Sequence, residues 1–141
     1  MPYKFIEHTA DIAVEVEEDS LEKLFASACN AWRDAALINK KPDNTGSKKF
    51  IFTSGSLEEL LVELLSELNF QLYAKKWIYI SVKNILLEKF NSNYHLAAEV
   101  FGQPLEQSSV ELKEEIKAVT FHQMNIEKNG ENFFTRIVFD I

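Results

Sequence analysis

Cysteine, glycine and proline are all scarce in this sequence. Its 141 residues include one cysteine, four glycines and three prolines, while 46% of the residues are hydrophobic. The single cysteine, Cys29, excludes an internal disulfide and a zinc site built from several thiolates, and it suits a reducing compartment. Cys29 falls within the apolar stripe of a predicted helix, so we interpret it as a core residue and not as a nucleophile. The composition predicts an ordered globular chain.

Long hydrophobic runs are also missing. No stretch approaches the roughly 20 apolar residues that a membrane-spanning helix needs. The opening MPYKFIEHTAD has no apolar run after Lys4, which is unlike a secretory signal, so we expect a cytoplasmic protein. The length is typical of one compact domain, and we predict a single domain over residues 1–141 that acts as a monomer.

Positive charge is in deficit as well. The chain has 15 lysines and arginines against 22 aspartates and glutamates, which gives a formal charge of −7. Affinity for a nucleic-acid backbone comes from clustered lysines and arginines that displace counterions, so we expect no direct nucleic-acid binding. The excess of carboxylates favours a cation or a basic protein as the partner.

Two helices are predicted in the first half of the chain. The alternation around Ile12, Val14 and Val16 predicts a strand with one wet face. Asp19 and Glu22 form a predicted capping pair for a first helix, and Ser56 with Glu59 forms a second one. Residues 39–49 are predicted to form a loop, followed by a short strand, FIFTS. The second helix is rich in leucine, which predicts that it packs in the core.

The second half of the chain has the pattern of β-structure. Two predicted strands, WIYISVKNILLEKF and YHLAAEVFG, flank the turn-forming NSN at residues 91–93. Two more, EIKAVTFHQMNIEK and ENFFTRIVFDI, end the chain. We therefore predict an α+β fold in which a mostly antiparallel β-sheet packs with two main α-helices.

The last two strands are predicted to form a hairpin. Asn129 and Gly130 both tolerate positive φ, which a two-residue turn needs. With that turn, Val119 lies opposite Asp140, and Lys117 lies diagonal to Asp140 on the same face of the sheet. A long side chain reaches diagonal neighbours, so we expect Lys117 to approach the Asp140 carboxylate.

The final strand ends on two adjacent negative groups, the Asp140 carboxylate and the terminal carboxylate of Ile141. Like charges this close need a counter-charge, which is either Lys117 or a metal ion. Oxygen donors of this kind suit calcium, magnesium or manganese rather than zinc. The alternative is an ordinary solvated acid at the end of a strand.

Three motifs occur together in this sequence. HTAD covers residues 8–11, EIKAVTFH covers residues 115–122, and VFDI covers residues 138–141. Their order and spacing, with helices that begin SLEKLF and SLEELL, resemble the archease family over essentially the whole chain. The resemblance implies an activator of the RtcB-type tRNA-splicing RNA ligase, which promotes guanylylation of the ligase and its multiple turnover. It implies a protein cofactor and not an enzyme.

The resemblance also implies roles for particular residues. By position in the motifs, it implies a divalent metal site that uses Asp11, Asp140 and Ile141, the last through its backbone or terminal carboxylate. It implies that Lys117 is needed for function and that His8 and Thr9 belong to the same motif as Asp11. Members of the family commonly have a histidine ahead of KAVT, where this sequence has Val110, so a contact made by that histidine is expected to be missing.

Two other functions remain open from the residues alone. The same acids with His8 and His122 are compatible with a metal-dependent hydrolase, although the sequence has no HExxH spacing and no phosphate-binding glycine loop. A general chaperone or protein-interaction module would instead use an exposed apolar surface and would need neither Asp11 nor Lys117.

Overall fold

The fold contains two α-helices and eight strands in the part of the chain that the structure describes. The computed structural model describes residues 2–6, 11–38, 46–113, 115–121 and 124–141. The helices are α1 (Leu21–Ala36) and α2 (Leu57–Tyr73). The strands are β1 (Tyr3–Ile6), β2 (Asp11–Glu18), β3 (Gly46–Ser54), β4 (Trp77–Phe90), β5 (Asn93–Pro104), β6 (Ala118–Thr120), β7 (Glu127–Asn129) and β8 (Asn132–Asp140).

The strands form two sheets, and every pairing among the described residues is antiparallel. The first sheet has the order β1-β2-β8-β6, and β7 also pairs with β8. The second sheet has the order β3-β5-β4. The first sheet therefore joins strands from both ends of the chain, with β2 and β8 side by side at its centre.

The two helices connect the sheets through one hydrophobic core. Helix α1 contacts β2 of the first sheet and β4 of the second, while α2 contacts β6 as well as β3, β4 and β5. In the predicted leucine stripe of α2, Leu57 is partly buried and the other leucines are fully buried, as is Cys29 in α1. The predicted α+β class with a mostly antiparallel sheet and two main helices is confirmed.

Helix starts were predicted well, with one correction. Ser56 caps α2, because its side chain accepts a hydrogen bond from the Glu59 amide at 3.1 Å. The predicted cap of α1 at Asp19 is wrong, since Ser20 holds that position and accepts from the Lys23 amide at 3.1 Å. A serine hydroxyl one residue before the first helical residue reaches the third amide of the helix, as capping requires.

Two strand predictions also need correction. The predicted loop over residues 39–49 ends earlier, because β3 begins at Gly46 and pairs with Gly102 there; residues 39–45 lie outside the described part of the chain. The single strand predicted over residues 115–128 is two short strands, β6 and β7, separated by six residues.

The predicted register of the last hairpin is wrong. Gly130, with φ of +66°, begins the turn, and Asn129 pairs with Asn132 rather than lying in the loop. Ala118, and not Val119, lies opposite Asp140. From Ala118 to Lys128 the chain advances ten positions, whereas from Asp140 back to Phe133, the partner of Lys128, it advances seven. The segment between β6 and β7 therefore has three residues more than the stretch of β8 that it spans, and this difference shifts the register.

None of the described helices combines the length and apolar character required to cross a membrane.

Candidate functional site

The site begins with the pairing of β2 and β8. Asp11 is the first residue of β2 and Asp140 is the last residue of β8, and the antiparallel register places them directly opposite each other. Residues in such positions share one face of the sheet, with Cβ atoms about 4.5–5.5 Å apart. The two carboxylates predicted for the metal site, one from each end of the sequence, are therefore cross-strand neighbours.

The alternation of side chains explains why these acids face away from the core. Ile12 lies opposite Phe139, which is fully buried, and both pack in or against the hydrophobic core. Because side chains alternate between the faces of a strand, Asp11 and Asp140 point to the other face. Asp140 is exposed and Asp11 is partly buried. Asp140 is thus accessible from the outer face of the first sheet.

The outer face of this sheet is ordered in rows across the strands. The first row consists of Asp11, Asp140 and Ala118, which is opposite Asp140 on the other side of β8. The second row is uncharged and consists of Ile6, Ala13, Val138 and Thr120. The third row is charged and consists of Lys4, Glu15 and Arg136, with Lys4 and Glu15 ion-paired at 3.5 Å. The uncharged second row separates the two acids from the charges of the third row.

Lys117 approaches this site through its backbone. It lies one residue before β6, and its amide donates a hydrogen bond to the carbonyl oxygen of Asp140 at 2.7 Å. Its side chain is exposed. Lys117 and Asp140 are therefore in backbone contact, but the predicted placement of Lys117 on the same face of the sheet as Asp140 is wrong. Ala118, and not Val119, lies opposite Asp140, and neighbouring residues along a strand face opposite sides. The register error accounts for this difference of one residue.

The remaining predicted residues differ in how they can be placed. Ile141 follows Asp140 directly, is partly buried and packs against the core. His8, Thr9 and His122 lie outside the described residues. Val110 occupies the position where a histidine was expected from the family resemblance. It is partly buried and packs against the core, which suits its apolar side chain.

The donor set suits a hard divalent cation. Asp11 and Asp140 would supply carboxylate oxygens to such a cation, and Ile141, which follows Asp140, would supply main-chain oxygen. Oxygen ligands are those preferred by calcium, magnesium and manganese. Within the described ranges, no group of three or more His, Cys, Asp or Glu side chains is placed to hold a metal. The pair thus fits a site that draws further oxygens from the main chain, from water or from a bound partner.

Sequence reasoning missed two residues that support this site. It assigned the leucine-rich helix α2 to the core alone, but Asn69 and Tyr73 on that helix hydrogen-bond both backbone polar groups of Ile116, which precedes Lys117. Asn69 lies one helical turn after Leu65, on the buried side of α2. A polar residue at that position needs a hydrogen-bond partner, and this requirement was the signal in the sequence that could have indicated its role.

Comparison with known proteins agrees with this architecture. The model of the Archease protein family matches residues 3–141. This chain belongs to the archease family. The archease of Methanosarcina barkeri is 28% identical over 139 residues, which are 99% of this chain and 95% of that protein. The archease of Pyrococcus abyssi is 32% identical over 126 residues, which are 89% of this chain and 88% of that protein.

Solved structures of the archease fold are similar to this one. The solution structure of Methanobacterium thermoautotrophicum protein 1598 aligns with a TM-score of 0.83 and 23% identity, and covers 99% of both chains. The crystal structure of a Thermotoga maritima archease, described as a possible chaperone, aligns with a TM-score of 0.61 and 24% identity, and covers 98% of this chain and 96% of that one. At these identities the likeness shows a shared fold.

The placement of the two acids can be tested by cross-linking. Opposite residues of an antiparallel ladder have Cα atoms about 4.5–5.5 Å apart, which falls within disulfide geometry. We expect the double variant Asp11→Cys, Asp140→Cys to form a disulfide under mild oxidation, measured by mass spectrometry after alkylation. Cys29 is buried and should not compete.

The matched control is Asp11→Cys with Arg136→Cys. Arg136 is on the same face of β8 but four residues away, at roughly 13 Å. Equal cross-linking of the two double variants, or cross-linking of the control alone, would contradict the described register.

Proposed function

We propose that this chain is a non-catalytic protein cofactor of an RtcB-type tRNA-splicing RNA ligase. In this proposal it promotes guanylylation of the ligase and permits multiple turnover, and it uses Asp11, Asp140 and Ile141 to hold a divalent cation, which is calcium, magnesium or manganese. Membership of the archease family supports the proposal. The single observation that carries it is the direct cross-strand pairing of Asp11 with Asp140.

The acid pair suits a role at a nucleotide pocket of another protein. A divalent cation held there would neutralise phosphate charge during nucleotidyl transfer. Asp140 is exposed at the end of β8, so the site can be presented without unfolding any strand. Its neighbour Ala118 is small and exposed, which leaves room for a partner to approach the acids closely.

The position of Lys117 fits the same role. Its backbone is tied to Asp140 while its side chain is exposed, so the ammonium group is free to extend from the edge of the site. An exposed lysine is a flexible point charge that binds phosphate. We assign Lys117 to contact with the nucleotide or with the ligase. His8 and Thr9, which precede Asp11 in the HTAD motif, are assigned to the same partner contact.

Substitution of the two acids tests the role in ligase activation. We expect Asp11→Ala and Asp140→Ala to remain folded, because both side chains face away from the core, and to lose most of the stimulation of guanylylation. Lys117→Ala should lose stimulation as well. The measurement is single-turnover against multiple-turnover ligation, with and without the protein, at defined metal and GTP concentrations.

The matched control for these variants is Glu63→Ala, which removes an exposed carboxylate from α2 at a distance from the β2–β8 pair. It should stimulate as the unmodified protein does. Folded Asp11→Ala and Asp140→Ala proteins that stimulate fully would rule out the proposed role of the site.

Metal binding is tested separately from the ligase. A cation that binds only the folded protein raises the free energy of unfolding, by about 2.7 kcal/mol at a hundred times its dissociation constant. We expect calcium, magnesium or manganese to raise the melting temperature, EDTA to reverse the increase, and Glu63→Ala to retain it. An equal increase in Asp140→Ala would place the cation elsewhere.

A second candidate function is a chaperone or protein-interaction module, supported by an apolar surface on the second sheet. Ile51 and Leu86 flank Ala97 in register on the face away from the core, and their exposed fractions are 72% and 51%. Phe90 lies on the same face and is 54% exposed. The Thermotoga maritima relative is described as a possible chaperone. Exposed apolar surface of this kind can bind unfolded chains.

Suppression of aggregation distinguishes this candidate. If the apolar face binds unfolded proteins, the double variant Ile51→Ser, Leu86→Ser should lose the ability to prevent aggregation of several unrelated clients, measured by light scattering, while Asp140→Ala should retain it. The absence of any suppression by the unmodified protein would exclude the second candidate and leave the cofactor role.

A further inference from the structure

The segment that leads into β6 contains one buried residue, Ile116. Side chains of α2, and not a neighbouring strand, hydrogen-bond to its backbone. Its side chain is fully buried, although residues 115–117 have no regular secondary structure. The Ile116 amide donates to the Tyr73 hydroxyl at 3.0 Å, and its carbonyl accepts from Asn69 Nδ2 at 2.8 Å. Helix α2 therefore satisfies both backbone polar groups of this residue, where buried groups without partners would be costly.

A third side chain fixes the orientation of the Asn69 amide. Trp32 of α1 donates from Nε1 to Asn69 Oδ1 at 3.0 Å. An indole N–H can only donate, so it must face the oxygen of the amide, and the Asn69 nitrogen is then directed at Ile116. Trp32 is fully buried and cannot easily change position. The hydrogen bonds thus form a chain from α1 through α2 to the backbone that precedes Lys117.

Two constraints act on Lys117 as a result. Ile116, the residue before Lys117, is held to α2 by two hydrogen bonds. The amide of Lys117 donates to the Asp140 carbonyl of β8 at 2.7 Å. Neither Asn69 nor Tyr73 belongs to the strand ladder that aligns Asp11 with Asp140. The strand ladder therefore places the two acids, whereas the placement of Lys117 also depends on side chains of α2.

We propose that Asn69 and Tyr73 are positioning residues that hold Lys117 beside Asp140 for its contact with the ligase. The importance of Lys117 in this proposal rests on the proposed function. The two side chains do not touch the nucleotide or the metal, and they act only through the backbone of Ile116. Loss of either hydrogen bond should free residues 115–117 without separating β2 from β8.

Two conservative variants remove these bonds individually. Tyr73→Phe deletes only the hydroxyl that accepts from the Ile116 amide. Asn69→Asp keeps the oxygen that accepts from Trp32 and removes the donor to the Ile116 carbonyl. The matched control is Tyr79→Phe, which removes a buried tyrosine hydroxyl that donates to Asn30 at 2.7 Å and is not one of the hydrogen bonds that join Trp32 and Asn69 to Ile116.

The first readout does not involve the ligase. We expect amide hydrogen exchange of Lys117, measured by NMR on the free protein, to become about tenfold faster or more in both variants, because in each of them local opening breaks one hydrogen bond fewer at Ile116. The amide exchange rates of the paired strands β2 and β8 should change no more in these variants than they do in the control Tyr79→Phe. The second readout is stimulation of ligase guanylylation, which should fall about tenfold in both variants and stay unchanged in the control.

The outcomes separate this proposal from the proposed function. Unchanged exchange at Lys117 in both variants would overturn it. Faster exchange with full stimulation would also overturn it if Lys117→Ala loses stimulation, because Lys117 would then act without being held. If Lys117→Ala itself stimulates fully, the role of Lys117 in the proposed function fails, and the exchange result alone shows whether Asn69 and Tyr73 hold Lys117.

Discussion

The antiparallel pairing of β2 with β8 is the contact on which the rest of this structure depends. Eight residue pairs, from Asp11 with Asp140 to Glu18 with Phe133, join the beginning of the chain to its end. One face of the ladder contributes Val14, Val16, Ile137 and Phe139 to the core, and this burial supplies the main stabilisation of the pairing. A shift of one residue would turn these side chains out of the core, so the register is strongly determined. The cross-strand position of the two acids follows from that register.

The site combines this rigid ladder with a more adjustable edge. The strand pairing fixes Asp11 and Asp140, whereas Lys117 precedes the three-residue strand β6 and depends on side chains of α2 for its placement. Burial raises the pKa of the Tyr73 phenol above its ordinary value, and the phenol oxygen accepts a hydrogen bond from the Ile116 amide. The arrangement is suited to a protein that presents charged groups to a partner, since the acids are fixed and the lysine side chain is free to adapt.

Local features of the fold could be predicted from the sequence, but the register of β6 could not. The alternation in β2, the serine cap of α2 and the NSN turn are each encoded within a few residues, and in that turn both Asn91 and Ser92 adopt positive φ. A turn fixes the register only while the ladder beyond it is continuous, and the register with β8 changes by three residues between β7 and β6. Asn69 and Tyr73 were missed because their partner, Ile116, is more than forty residues away in the sequence. Such contacts depend on how whole elements pack.

The central claim is that the two ends of the chain form one cation site, and paramagnetic NMR tests it most directly. Substoichiometric Mn²⁺ added to the ¹⁵N-labelled protein should first broaden the amide signals of Asp11, Ala118, Asp140 and Ile141, because line broadening falls steeply with distance from the ion. The same addition to Asp140→Ala should leave these signals sharp. Strongest broadening around the exposed carboxylates of α2, with the signals of the β2–β8 end unchanged, would contradict the account.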